Sequence, residues 1–197
     1  MEYSAAGVKY QLWFIEMKKT IKLYKEHGWD ETKKIIIEEN IYQQKAKDRI
    51  TSEYGCIKKR IEALPEDIQE YMLRADLSTA KLIALIANMS IDRMLFEVMY
   101  ELYREKIRLD ESEITVIQVD NLFEEKAKQD DIVASWTEAT TRKLRQMYLR
   151  AMAEAGVIRK ETLNSRIITK PYVEQELRDL LIKNGMESYL YALTGER

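Results

Sequence analysis

Residues 135–160, SWTEATTRKLRQMYLRAMAEAGVIRK, combine hydroxyl and guanidinium groups in a pattern that suits a polyanion. Threonine hydroxyls can donate to phosphate or to a base edge, and the arginine fork matches a phosphate or a guanine. The candidate contacts of this C-terminal basic block, which extends past the glycine, are Thr140, Thr141, Arg142, Lys143, Arg145, Arg150, Arg159, Lys160, Arg166 and Lys170. An ordinary solvated helix face is the alternative, and the residue pattern favours neither.

A second set of cations lies in residues 45–60, KAKDRITSEYGCIKKR. The candidate phosphate contacts of this N-terminal basic block are Lys45, Lys47, Arg49, Lys58, Lys59 and Arg60. Only Asp48 and Glu53 oppose these cations within the block. Lysine and arginine that neutralise phosphates release counterions, which favours binding to a nucleic acid. A solvated or acid-paired surface is still the favoured interpretation here, because such surfaces are common.

No set of residues in the sequence predicts an active site. His27 is the only histidine, and its context KEHGWD predicts a helix end, where an imidazole suits the helix dipole. Cys56 is the only cysteine and is predicted to be a small apolar core residue. Phosphate-binding glycine loops, zinc-protease motifs and EF-hand loops do not occur. We therefore predict a protein without catalytic residues, metal ligands or a cofactor.

The composition predicts the elements that must hold these side chains. Leu, Ile, Met, Ala, Lys and Glu are frequent among the 197 residues, while only 6 Gly and 2 Pro occur. This favours helices over a turn-rich β architecture. We predict a mainly α protein, a multi-helix bundle in two lobes with a C-terminal winged helix-turn-helix-like segment. The predicted divisions are an N-terminal helical lobe (1–64), a central helical core (65–134) and the helix-turn-helix-like segment (135–197).

Apolar residues at helical spacing predict the helices of the first lobe. One helix covers residues 8–25 and stops at Gly28, and a second begins at Asp30 as its N-cap and runs to Asn40. A third helix follows the polar stretch QQKAKD. Its predicted buried stripe consists of Ile50, Tyr54, Ile57, Ile61 and Leu64.

The middle of the chain is predicted to supply the core. Pro65 followed by two acids indicates a helix start. Residues 79–108 are apolar on several faces and predict central helices with a break near residues 88–90. Residues 113–119, EITVIQV, suit a strand or a helix, and we predict a helix.

The C-terminal segment is predicted to open with a capped helix. Ser135 and Glu138 have the spacing of a capping box, and Gly156 is predicted to end the helix. The predicted buried stripe consists of Leu144, Tyr148, Ala151 and Ala155. A short β-branched stretch, RIIT, and a last helix opened by Pro171 follow. A helix, a glycine and a short hairpin resemble the second half of a winged helix-turn-helix.

Charge is unevenly distributed along a chain whose overall net charge is only −2. Residues 16–60 carry a net +4 and residues 136–170 a net +5, while residues 61–135 between them carry −9. A single cysteine and the lack of a signal-peptide pattern predict a cytoplasmic protein. The apolar run LIALIA is far shorter than the roughly 20 residues that span a bilayer, so no membrane association is predicted.

Several stretches together resemble a known family. They are YSAAG, HGWDETKKIIIEEN, KDRITSEYGCIKKRIEALP, YREKIRL and SWTEATTRKLRQMYLRAMAEAGVIRK, and they extend over residues 3–170. Their order and spacing resemble the BrxA family of BREX bacteriophage-exclusion systems. The resemblance implies a helical, cytoplasmic, non-enzymatic protein, similar in part to the antitermination factor NusB, that binds double-stranded DNA beside other BREX components. The resemblance also implies that Thr140, Thr141, Lys143 and Leu144 correspond to a Thr-x-x-Lys-Leu-type stretch of the family. In this stretch Leu144 is a core residue, and only the threonines and the cation are candidate contacts.

Two functions follow as hypotheses. The first is a non-catalytic DNA-binding accessory of a phage-defence complex, in which both basic blocks converge on one cationic surface. The second is a scaffold whose acidic middle and apolar helix faces bind other BREX proteins, with the cations keeping it soluble. A hydrolase or nuclease would need a metal site that the sequence does not reveal.

Overall fold

The computed structural model describes residues 1–6 and 11–196. Helices dominate, and one small antiparallel sheet accompanies them, so the predicted mainly α class is confirmed. The helices are α1 (Phe14–Glu38), α2 (Lys47–Glu62), α3 (Glu66–Arg74), α4 (Leu77–Ile91), α5 (Arg93–Glu97), α6 (Arg104–Arg108), α7 (Val116–Ala127), α8 (Asp131–Ala134), α9 (Glu138–Glu154), α10 (Gln175–Lys183) and α11 (Glu187–Thr194). The strands are β1 (Glu113–Thr115), β2 (Ile158–Lys160) and β3 (Ser165–Ile168).

The first two helices largely follow the apolar pattern. Gly28 interrupts α1 with φ 73° and ψ 171°, a conformation that glycine adopts without steric cost, so the predicted break is confirmed. Residues 8–10 of the predicted first helix lie outside the described residues, and residues 11–13 precede α1. The predicted apolar stripe from Ile50 to Leu64 is buried at every position, and Leu64 lies just after the end of α2. These side chains pack against α1 and α4.

The central helices form the interior of the protein. Residues 82–89 of α4 are all buried, as the all-round apolar pattern predicts. The predicted break lies slightly later than expected, at Asp92, whose carboxylate accepts a hydrogen bond from the Leu95 amide at 3.1 Å and caps α5. From there α5, a π-helical segment (Val98–Tyr103) and α6 follow one another without a gap.

The prediction of a helix across residues 113–119 is wrong for its first half. Glu113–Thr115 form β1, which pairs antiparallel with β3, and the helix starts only at Val116. Thr115 closes a capping box at this junction, because its hydroxyl accepts from the Gln118 amide while the Gln118 side chain accepts from the Thr115 amide. Pairing with a strand some 50 residues further along the chain therefore overrides the local helix pattern.

The capping box predicted at Ser135 is also wrong. The N-cap of α9 is Thr137, whose hydroxyl accepts a hydrogen bond from the Thr140 amide at 3.2 Å, whereas Ser135 ends α8 and donates to the Ile132 carbonyl. The buried stripe of α9 is confirmed at all its predicted positions. Gly156 follows the helix with φ 81°, so the predicted end is confirmed as well.

The three strands form a sheet in the order β1-β3-β2, in which β3 is central and both pairings are antiparallel. Residues 161–164 join β2 to β3 as a hairpin. β2 contacts the end of α9, and β1 leads directly into α7. The sheet thus fixes α7 and α9 relative to the hairpin.

Two short helices complete the chain. The helix predicted after Pro171 begins at Gln175, and α10 packs against α3 and α11. The Tyr71 hydroxyl of α3 donates to Glu174 just before α10. One contiguous buried cluster includes residues from all three predicted divisions of the chain, and the division boundaries themselves stay a prediction.

Candidate nucleic-acid interface

A groove of about 430 Å³ lies between α9 and the β2–β3 hairpin. Its lining residues are Val116, Arg145, Gln146, Leu149, Arg150, Ala153, Lys160, Leu163, Asn164 and Arg166. Four of them are cations predicted from the sequence as polyanion contacts, and none is an acid. The groove is therefore lined by apolar, positively charged and amide-bearing side chains.

The buried face of α9 holds its opposite face in place along the groove. The Tyr148 hydroxyl lies 2.9 Å from both carboxylate oxygens of Asp92, the residue that caps α5. Burial raises the pKa of Asp92 to about 6. Hydrogen bonds from the Leu95 amide and the Tyr148 hydroxyl stabilise the charged carboxylate and so partly oppose this rise. Leu144 is fully buried one turn earlier. The face of α9 that lies along the groove is thus fixed by the central core.

Acids hold some of the cations on α9 and leave others unpaired. Arg142 pairs with Glu138 at 2.5 Å on the same helix. Arg145 is half-buried and pairs with Asp120 of α7. Lys143 and Arg150 are exposed, and neither has an ion-pair partner among the described residues. These last two cations are the side chains of α9 most available to a phosphate.

The hairpin carries a further set of predicted contacts with different surroundings. Lys160 is exposed on β2, and Arg159 beside it pairs with Glu161 at 3.3 Å. Arg166 donates through Nη1 to the carbonyls of Thr162 and Ser165 at 2.9 and 2.8 Å. Arg166 therefore stabilises the turn as well as lining the groove.

Three other members of the C-terminal basic block contribute less to the groove. The Thr140 hydroxyl lies 3.0 Å from that of Thr137, and the Thr141 hydroxyl donates to the Glu138 carbonyl at 3.0 Å. Both hydroxyls are therefore engaged within the first turn of α9. Lys170 is exposed on the segment after β3 and does not line the groove.

One predicted contact of the N-terminal basic block is contradicted by its burial. Arg60 is 0% exposed and donates to the backbone carbonyls of Gln11 and Leu12 at 2.8 and 3.1 Å. Its guanidinium also lies 5.0 Å from the centre of the Trp13 ring. Arg60 is therefore a structural residue that holds the segment before α1, and it cannot reach a phosphate.

The rest of this block lies on the surface of α2 and the loop before it. Lys45, Lys47, Arg49 and Lys59 are exposed. Lys58 pairs with Glu62 and lies 4.7 Å from the centre of the Trp29 ring. All lining residues of the groove come from positions 116–166, and α4 packs against both α2 and α9. The expected convergence of the two blocks is not seen in this groove.

A smaller cavity of about 280 Å³ lies beside α2. It is lined by Gln11, Trp13, Gln44, Arg49, Ser52, Glu53 and Cys56. Glu53 is 4% exposed, and its burial and the nearby charge of Glu16 raise its pKa to about 7. The positive charges of Arg49 and Arg60 and a hydrogen bond from Gln44 act in the opposite direction. Cys56 is half-buried at this cavity, so the prediction of a core position is wrong.

Sequence reasoning missed several residues of the groove. Leu163 and Asn164 belong to the hairpin turn, and Val116 is the first residue of α7. Asp120, which holds Arg145, lies 25 positions away in the chain. The polar run ETLNS between two β-branched stretches was the only signal for the turn.

The described residues offer neither a metal site nor a membrane-spanning helix. No group of three or more His, Cys, Asp or Glu side chains there could hold a metal ion. No helix in that part of the chain has the length and apolar content needed to cross a membrane.

Known proteins resemble this chain in sequence and in fold. The BrxA family model matches residues 1–185. The BREX protein BrxA of Bacillus cereus is 32% identical over 186 residues, which cover 94% of this chain and 92% of that protein. A crystal structure of an uncharacterized protein from Magnetospirillum magneticum has a TM-score of 0.83 and 17% identity, with 100% of both chains covered. That last similarity shows the fold alone.

Proposed function

The chain belongs to the BrxA family, and from that membership we propose that it is a non-catalytic, double-stranded-DNA-binding component of a BREX phage-defence system. Its partners in this proposal are duplex DNA and other BREX components. The name of the relative from Bacillus cereus supports the BREX assignment. The DNA contact is argued from the geometry of the groove.

The observation that carries the proposal is the groove between α9 and the hairpin. Arg145, Arg150, Lys160 and Arg166 line it together, and no carboxylate is among its lining residues. A phosphate backbone lying there would meet several cations at once and would release its counterions. Exposed cations scattered among acids would not favour such binding.

The order of the elements supports α9 as the helix that enters the DNA. A helical run (residues 93–108) is followed by β1, α7, α8 and α9, and then by the β2–β3 hairpin, with β1 paired to β3. This order fits a winged helix-turn-helix, in which the last helix lies in the major groove and the hairpin flanks it. The exposed Arg150 and Lys143 then face the duplex.

The contacts available are mainly of the kind that bind phosphate. Lysine and arginine contacts position a protein on the DNA phosphate backbone without reading the base sequence. We expect binding to be largely independent of sequence and to weaken steeply as the salt concentration rises. Gln146 and Asn164 in the groove are the side chains able to read a base edge.

Fluorescence anisotropy with a labelled duplex at several salt concentrations tests this proposal. We expect the double variant Arg150→Glu, Lys160→Glu to lose most of its affinity for the duplex. The slope of log affinity against log salt concentration should become shallower by the equivalent of about two phosphate contacts. Lys33→Glu is the matched control, because Lys33 is exposed on α1 and does not line the groove. A wild-type protein that fails to bind duplex DNA even at low salt contradicts the proposal.

A scaffold role is the second candidate and has its own supporting observation. Leu109 and Ile117, which flank β1, are 68% and 67% exposed. Residues 61–135, which include both of these residues, carry a net charge of −9. Retention of both phage defence and partner binding by the groove variant would favour the scaffold. Loss of defence with the partner complex intact would favour DNA contact.

A further inference from the structure

Leu163 is 80% exposed at the turn of the β2–β3 hairpin. A single exposed leucine is common on protein surfaces, so exposure alone assigns it no role. Its position is what distinguishes it, because it is both the tip of the hairpin and one of the residues lining the basic groove. A ligand that fills the groove must therefore meet this side chain.

Hydrogen bonds hold the turn around Leu163 in one shape. The Thr162 hydroxyl accepts from the amides of Asn164 and Ser165 at 3.1 and 3.0 Å. Arg166 donates to the carbonyls of Thr162 and Ser165. The turn is thus ordered before any ligand arrives, and presenting Leu163 to a partner costs little conformational entropy.

The charges on the hairpin favour an anionic partner. Lys160 and Arg166 lie on either side of the turn, on β2 and β3, and both line the groove. The acid in the turn, Glu161, pairs with Arg159 at 3.3 Å. The leucine is therefore surrounded by groups that attract phosphates and by one neutralised carboxylate.

The walls of the groove indicate which side of a duplex the hairpin meets. One DNA strand lying in the groove has α9 on one side and the hairpin on the other, and each sugar-phosphate strand separates the major groove from the minor groove. The major groove admits an α-helix. With α9 in the major groove, the hairpin tip reaches the minor groove across that strand.

We propose that the hairpin tip enters the minor groove and that Leu163 inserts between two base pairs, which partly unstacks them and bends the duplex. Apolar side chains such as leucine act as wedges of this kind in proteins that bend DNA from the minor groove. Pyrimidine–purine steps unstack most readily, so the bend is expected at TA and CA steps. The inference rests on the proposed DNA binding and adds the form of DNA that is bound.

Two fluorescence measurements on one short duplex with a central TA step test the wedge. Energy transfer between dyes on the two ends reports bending, and 2-aminopurine at the step reports unstacking. Wild-type protein is expected to raise both signals. Leu163→Ala is expected to bind about tenfold more weakly, because the buried leucine surface is lost, and to raise neither signal at saturation. Leu163→Met, which keeps a long apolar side chain, is expected to retain both.

Leu77→Ala is the matched control, because Leu77 is 62% exposed at the start of α4 and does not line the groove. Its affinity and both signals should equal those of the wild type. If the wild type binds without raising either signal, or if Leu163→Ala still bends the duplex, the wedge is wrong while DNA binding stands. Failure of the wild type to bind any duplex removes both proposals.

Discussion

The two basic blocks each combine several cations with few acids in the sequence, but their surroundings in the structure differ. Four cations of the C-terminal basic block line one groove without a carboxylate among its lining residues. In the N-terminal basic block Arg60 is fully buried, and Lys58 pairs with Glu62 and lies against Trp29. Charge density along a chain therefore indicates candidate surfaces, and packing decides which of them can meet a ligand.

The difference follows from what each helix packs against. The cations of α9 lie opposite a stripe that is buried against the central core, so most of them remain at the surface. In α2, Arg60 and Glu53 point to the buried side together with the apolar residues. Buried charges stay in place only when other groups compensate them, so this side of α2 has a structural role.

Replacement of Arg60 should give the largest effect. Arg60→Met keeps the length of the side chain but leaves the Gln11 and Leu12 carbonyls without their donors. We expect the free energy of unfolding to fall by about 3 kcal/mol, as for the loss of a buried charged hydrogen-bonding group. Urea unfolding of the variant and the wild type measures this fall. Lys59→Met is the control at the adjacent exposed position and should leave the unfolding curve unchanged.

Charge reversal in the groove should act on binding rather than on stability. Arg150→Glu is expected to weaken DNA binding about tenfold. It should also reduce the slope of log affinity against log salt concentration by the equivalent of roughly one phosphate contact. Lys45→Glu reverses an exposed charge of the other block and should weaken binding by less than about threefold. Equal losses in the two variants would contradict the distinction between the blocks.

The buried acid of the N-terminal basic block should make stability depend on pH. Because the pKa of Glu53 is raised from 4.5 to about 7, the folded protein keeps a proton that the unfolded chain releases as the pH rises through this range. Stability should therefore fall by about 2 kcal/mol between pH 5 and pH 8. Glu53→Gln has no proton to lose at this position, and its unfolding free energy should change less with pH. An identical pH profile in both proteins would contradict this role of Glu53.

The smallest effect should come from releasing a cation of the groove. Asp120 pairs with Arg145 and competes with any phosphate for it. Asp120→Asn is expected to strengthen DNA binding about threefold, the size of a partly exposed ion pair. Glu124→Gln changes an exposed acid on the same helix and is the control. Weaker binding by Asp120→Asn would indicate that the ion pair positions Arg145 for DNA.

Local patterns predicted much of the architecture correctly. The break at Gly28, the buried stripes of α2 and α9 and the glycine after α9 all follow from signals within a few residues of one another. The error at residues 113–115 arose where a distant strand competes with the local pattern. The strand at Glu113–Thr115 forms because β3 pairs with it, and no neighbouring residue indicates that partner.

The sequence by itself determined the fold class, most helix positions and the two sets of cations, because helical periodicity and glycine positions are local properties. Only the tertiary structure decided which cations share a groove, that Arg60 is buried and that Asp120 holds Arg145. The last two outcomes depend on contacts between residues 25 or more positions apart. Such contacts are fixed by the packing of whole elements on one core, which the residue pattern within a single helix does not specify.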